Sequence, residues 1–292
     1  MNSKANYTLH TIFLCAIFLM GNAVIILPFP SADDKTFLGY IFAFFISFGV
    51  CFLLLPILNN LYTKKAFKNS FQKAVFIALY GATALLSAIE AYRCFYQYAD
   101  FVSKTVLPKV SPILISLIFI AIAIYLSFRH SSVIFKFSLF SFVLVFIAVA
   151  AFFIMSYKNF RLDNISLLQL PTSKKLIKQT IPYLLKVFLP FLLVLIYQAC
   201  QFERIGKKQT LWGLSLGGIT LALTLLNSVL LFGAPLSASL DFPYASAIST
   251  VTVGYLFSRM DGFSYFIYFA CCLIKISVCI GIIKSLIKRI FG

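Results

Sequence analysis

Val133–Tyr157 reads VIFKFSLFSFVLVFIAVAAFFIMSY, and from Phe137 to Tyr157 it carries no charge. About 20 mostly apolar residues are what an α-helix needs to cross the hydrocarbon core of a bilayer. A helix apolar on every face has no side to offer water. The whole chain shares this character: of 292 residues 61% are hydrophobic and 11% charged, with a mean hydropathy of +0.98. A soluble domain carries roughly 25% charged residues. A chain this poor in charge cannot clothe itself in a water-facing surface, so its solvent is lipid.

Working outward from that segment, the same measure predicts eight spans, over residues 8–29, 37–61, 74–101, 112–128, 133–157, 180–200, 209–233 and 262–287. The expected fold is an all-α integral membrane protein, a single polytopic domain over residues 1–292. The first apolar run is longer than the core of a signal peptide and has no small-residue cleavage site after it, so it reads as a retained helix. Lys158–Gln179 is polar, contains Pro171 and is long enough for an interfacial excursion. The stretch around residues 242–258 follows Pro243 and is rich in Ser, Thr and Ala. It reads as a re-entrant or interfacial helix, with a ninth span as the alternative.

The net charge of +17 comes in short clusters between apolar runs, such as Lys64, Lys65, Lys68 and Lys73. Loops beside an anionic leaflet have this pattern, and nucleic acid is not the expected partner. Placing the N-terminus in the cytoplasm puts 13 Lys and Arg residues on that side and 9 on the other. The expected orientation is therefore N-in, C-in. The seven cysteines form no CxxC pair, and His10 and His130 are too few for a metal site. No phosphate-cradling Gly loop, Ser-His-Asp set or carboxylate pair is visible. The chain is expected to be neither an enzyme nor a metal or cofactor protein.

Charges inside spans are costly and therefore informative. Glu90 and Arg93 lie three residues apart on one helix face, the spacing of an intramembrane ion pair that can serve structure or function. Tyr92, Tyr96 and Tyr98 flank the pair in sequence and either line a cavity or form an interfacial belt. Lys275 sits near the middle of the last span and needs a carboxylate, backbone carbonyls or water. Lys186 is close enough to its helix end to reach the interface. Two spans also carry breaks: Gly21-Asn22-Ala23 in the first and Pro190 in the sixth. In transporters built from internal repeats, discontinuous helices at corresponding positions expose backbone groups to substrate, and spans one and six correspond in a five-plus-five repeat. Gly213, Gly217 and Gly218 in the seventh span suit close helix packing.

Four stretches carry a resemblance to a known family: Phe18-Leu19-Met20-Gly21-Asn22-Ala23 with Leu27-Pro28; Arg93 followed by Leu107-Pro108-Lys109-Val110-Ser111-Pro112; Phe242-Pro243-Tyr244 with Ser258-Arg259-Met260-Asp261; and Lys275-Ile276-Ser277. In order and spacing they resemble the B subunit of spore germinant receptors, a branch of the amino acid–polyamine–organocation transporter superfamily. The resemblance implies a broken-helix, inverted-repeat transporter fold of ten helices; with eight spans expected here, the chain departs from it by lacking the last two. It implies a spore inner-membrane location and partnership with the receptor's A and C subunits. It also implies a pocket for a small nutrient, most simply an amino acid. Candidate ligand-binding residues are Gly21, Asn22, Ala23, Tyr92, Tyr96, Pro190 and Lys275, with amides near Gly21 and Asn22 expected to receive a carboxylate. An amino-acid permease using the same pocket, and a structural subunit with a vestigial one, are the alternatives.

Overall fold

The computed structural model describes residues 3–23, 36–63, 70–105, 110–129, 131–164, 172–202, 206–250 and 261–291. Helix α1 (Ser3–Met20) passes into a single 3-10 turn at Gly21–Ala23. It is followed by α2 (Thr36–Thr63), α3 (Ser70–Thr105), α4 (Pro112–Phe128) and α5 (Ser131–Ser156). Then come α6 (Ser173–Tyr183), a π-helical turn at Leu184–Phe188, and α7 (Phe191–Phe202). The chain continues through α8 (Lys207–Ser239), the short α9 (Pro243–Ser249) and α10 (Asp261–Phe291). Among the described residues there is no β-strand.

Among the described residues six helical segments are long and apolar enough to cross a membrane, and α6, the π turn and α7 together make one of them. Two shorter apolar helices, Thr8–Met20 and Ile113–Phe128, lie where the first and fourth spans were expected and fall short of that length among the described residues. The first expected span continues to residue 29, but the helix ends at Met20 and residues 24–35 lie outside the described ones. The seventh, expected to stop at Gly233, instead kinks there and runs on to Ser239. Of the expected re-entrant stretch, Pro243–Ser249 is helical, with Pro243, Tyr244, Ala247 and Ile248 buried, and residues 251–260 lie outside the described ones.

The helices sort by what surrounds them. In α10, 78% of the most apolar window is buried, against 22% in α2 and in α3. The peripheral helices turn Phe45, Phe52, Leu53, Leu85 and Ile154 outward, as lipid-facing surface should. At the centre, α10 packs against α3, α4, α5, α7 and α1. Helix α1 lies mainly on α8, and small residues let it do so. A Cβ built on Gly217 would meet the Ala16 carbonyl oxygen at 2.7 Å, and one on Gly213 would meet the Ile12 carbonyl oxygen at 2.6 Å. This is the close approach that small-residue faces permit in lipid. At one end of the bundle Arg289 of α10 donates to the carbonyls of Tyr62, Ala199 and Cys200, groups that α2 and α7 leave unpaired at their C-termini.

Candidate ligand site at the break in the first helix

The turn period of α3 puts Glu90 and Arg93 on one face, with Arg93 Nη1 3.5 Å from Glu90 Oε2. Glu90 has a nearer partner that is 185 positions away in sequence: Lys275 Nζ lies 2.6 Å from its Oε1. The packing of α10 against α3 makes this pair, and both side chains are buried. Arg93 is about a third exposed, so it sits at the edge of the group rather than its centre.

Pro190 supplies the other end of Arg93's contacts. Proline has no N–H, and its ring pushes against the carbonyl four residues earlier. Here that carbonyl belongs to Lys186. The backbone widens into the π turn, in which the Leu189 N–H donates to the Leu184 carbonyl at 2.7 Å. The freed Lys186 carbonyl accepts from Arg93 Nη2 at 3.0 Å. The Lys186 side chain itself is exposed, so this residue joins the site through its backbone.

Lys275 meets α1 at its break. Gly21 has φ +23°, a value that residues with a side chain rarely adopt. A Cβ there would overlap Lys275 Cδ, with Cε and Nζ each 3.3 Å away. The ammonium also lies 5.4 Å from the Phe18 ring centroid, within cation–π range. Since α1 terminates at Met20, the backbone groups left unpaired at the break are carbonyls of its last turn, which favour a cation. The amides expected to receive a carboxylate near Gly21 and Asn22 adjoin residues 24–35, which lie outside the described ones, and among the described side chains Lys275 is the cation beside the helix end.

The structure therefore brings Gly21, Lys275 and Glu90 together where α1, α3 and α10 meet, and Arg93 at the edge links this group to the Lys186 carbonyl that Pro190 frees. Ala23 is buried in the 3-10 turn beside it, and Asn22 belongs to the same turn. Tyr92 and Tyr96 are not part of this group. They are 67% and 62% exposed, and they stack on each other with centroids 6.4 Å apart. Tyr98 is buried and stacks on Phe119 at 4.3 Å. Within Lys275-Ile276-Ser277 the serine points elsewhere, its hydroxyl donating to the Leu273 carbonyl at 2.7 Å.

Among the described residues the central group holds one carboxylate and two cations. Asp100 and Asp241 do not balance it, because both are taken by Lys104 at the end of α3, at 3.1 and 3.2 Å. Among the described residues no three His, Cys, Asp or Glu side chains converge as a metal set. The described side chains thus offer an anionic group two cations against one carboxylate, beside a glycine backbone on which the Lys275 stem lies. A family model described as spore germination protein matches the chain over residues 7–292. No match was found among curated proteins or among solved structures.

Proposed function

Because the chain belongs to the spore germination protein family, we propose that it is the membrane subunit of a germinant receptor that binds a small nutrient at the α1 break. The single observation carrying this reading is Lys275, whose stem fills the space beside Gly21 while its ammonium is held by Glu90. A nutrient carboxylate competes with Glu90 for Lys275 and Arg93, and the surplus positive charge of the group favours the exchange. Once Glu90 is displaced, α3 and α10 lose the contact that ties them at mid-depth. The bundle then prefers a second arrangement, since a ligand shifts the population toward the state it binds better. The A subunit reads that shift, with the C subunit completing the receptor in the spore inner membrane.

The basic residues support an orientation with the start of α1 and the end of α10 in the cytoplasm. That side holds Lys64, Lys65, Lys68, Lys207, Lys208, Lys288 and Arg289. Helix α9 then lies on the outer side, where a nutrient arrives. Substrate class is tested by nutrient-triggered germination with single L-amino acids and with the same amino acids blocked as carboxamides. The acids trigger a response that Lys275→Met abolishes, and the amides trigger none. Equal potency of acids and amides would overturn carboxylate recognition at this group.

A further inference from the structure

Helices α4 and α10 end side by side, at the end of the bundle opposite Lys104, and both carry cations there. The Ser277 hydroxyl lies 3.3 Å from the Ala123 carbonyl, and Phe119 faces Phe269 at 5.5 Å, so the two helices run parallel. Farther along both, Lys284 Nζ stands over the Phe128 ring, 4.4 Å from its centroid. Arg129, the next residue of the chain, lies over Tyr125 at 4.7 Å, and its guanidinium also donates to the Tyr125 hydroxyl. Tyr125 and Phe128 are three residues apart and so share one side of α4. The two cations thus rest on neighbouring rings, and an aromatic face attracts a cation without neutralising it.

Among the described residues no carboxylate lies at this end. Glu90 is held at mid-depth by Lys275, and Asp100 and Asp241 are bound to Lys104 at the other end. Asp163 follows the far end of α5, and Asp261 begins α10. To the cationic end belong also Lys136, in the second turn of α5, and Lys288, one turn beyond Lys284; both are exposed.

Leading up to the cations, α4 turns an apolar stripe outward. Leu114, Leu117, Ile118, Ala121, Ile124 and Tyr125 are all exposed and recur at three and four residues along one side of the helix. From Leu114 to Tyr125 the stripe is about 16 Å long, close to half of a hydrocarbon core roughly 30 Å thick. It ends in the two rings, and aromatic residues belong at the level of the headgroups. Acyl chains lying on the stripe place their phosphate beside Lys284 and Arg129. Lipid is the solvent of this face, so the open question is the headgroup, and two cations without a carboxylate select a negative one. We propose that the ends of α4 and α10 form a binding site for an anionic phospholipid, its phosphate between Lys284 and Arg129 and its chains along α4. The inference does not depend on what binds at Lys275.

The test counts lipids retained on the full chain by native mass spectrometry, from nanodiscs holding equal amounts of phosphatidylglycerol and phosphatidylcholine. The unaltered chain retains phosphatidylglycerol in about tenfold preference. That preference falls about tenfold in Arg129→Gln combined with Lys284→Gln, and about threefold in Lys284→Gln alone, as losing cations at the headgroup level should produce. Lys207→Gln combined with Lys208→Gln removes equal charge from exposed positions at the same end, and the preference stays. An unfolding temperature unchanged in pure phosphatidylcholine shows that lost retention is not lost folding. Equal retention by the Arg129 and Lys284 variants, or an equal loss in the Lys207 and Lys208 variant, overturns the site. Displacement of phosphatidylglycerol by millimolar inorganic phosphate overturns it too, since an anion site then needs no lipid. Failure of the amino-acid response at Lys275 leaves these outcomes untouched.

Discussion

Among the described residues two glycines, Gly21 and Gly233, break helices, and what fills the two breaks differs. At Gly233 in α8, φ is +75° and ψ is +163°, a combination essentially confined to glycine. The exposed Leu230 carbonyl there is satisfied by neutral donors from the turn after α5, the Arg161 N–H at 3.0 Å and Asn164 Nδ2 at 3.1 Å. Ser237 beyond the kink donates back to the Ser228 carbonyl at 3.1 Å. At Gly21 the filler is the stem of a lysine whose charge is held by a distant carboxylate. A break closed by local hydrogen bonds is a bend with a fixed shape. A break closed by an ion pair can be reopened by any solute that competes for the charge.

The largest expected effect comes from taking away that charge. Lys275→Met strands Glu90 in a buried position, and stranding one member of a buried pair costs about 3–5 kcal/mol. Arg93, 3.5 Å away and partly exposed, offsets little of it. Thermal unfolding of the purified protein will show the loss, and Glu90→Gln combined with Lys275→Met will recover most of it. Equal stability of the single and double variants would mean that Glu90 is not held as an ion. Nutrient response per inserted molecule stays lost in both.

Alanine at the two glycines sharpens the comparison. Gly21→Ala meets both an unfavourable backbone and the Lys275 stem, for about 2–4 kcal/mol. Gly233→Ala meets the backbone strain, with Asn164 Oδ1 the nearest atom at 3.3 Å, for about 1–3 kcal/mol. Response per inserted molecule falls in the first and not in the second. A matching loss in Gly233→Ala would erase the distinction between a bend and a ligand-sensitive break. The smallest effect belongs to Asn164→Ala, which removes one of the two donors to Leu230 and costs about 1 kcal/mol in the same unfolding measurement. Nutrient response is unchanged.

The membrane-spanning character was legible from composition, because no water-facing surface can be made from so few charges. Both breaks at the site were legible too, since Gly21 and Pro190 act on their own backbones. The pairing of Glu90 with Lys275 was not. Nothing local connects residues 185 apart, whereas Arg93 announces itself by its three-residue spacing. The acceptor for Arg93 was half visible: Pro190 marks the freed carbonyl of Lys186, but only packing says who takes it. Tyr92 and Tyr96 look close to Glu90 in the written sequence. At 100° per residue they stand roughly 200° and 240° around α3 from it, and this angle was available from sequence alone.

The fit between Gly21 and the Lys275 stem also constrains descent. A mutation that adds a carbon at position 21 collides with the stem, and one that shortens position 275 leaves a buried acid and a gap. Neither change is tolerated first, so the two positions behave as one hereditary character. Chains descended from a common ancestor should keep glycine and lysine together or replace them together, although the two positions stand far apart in the sequence.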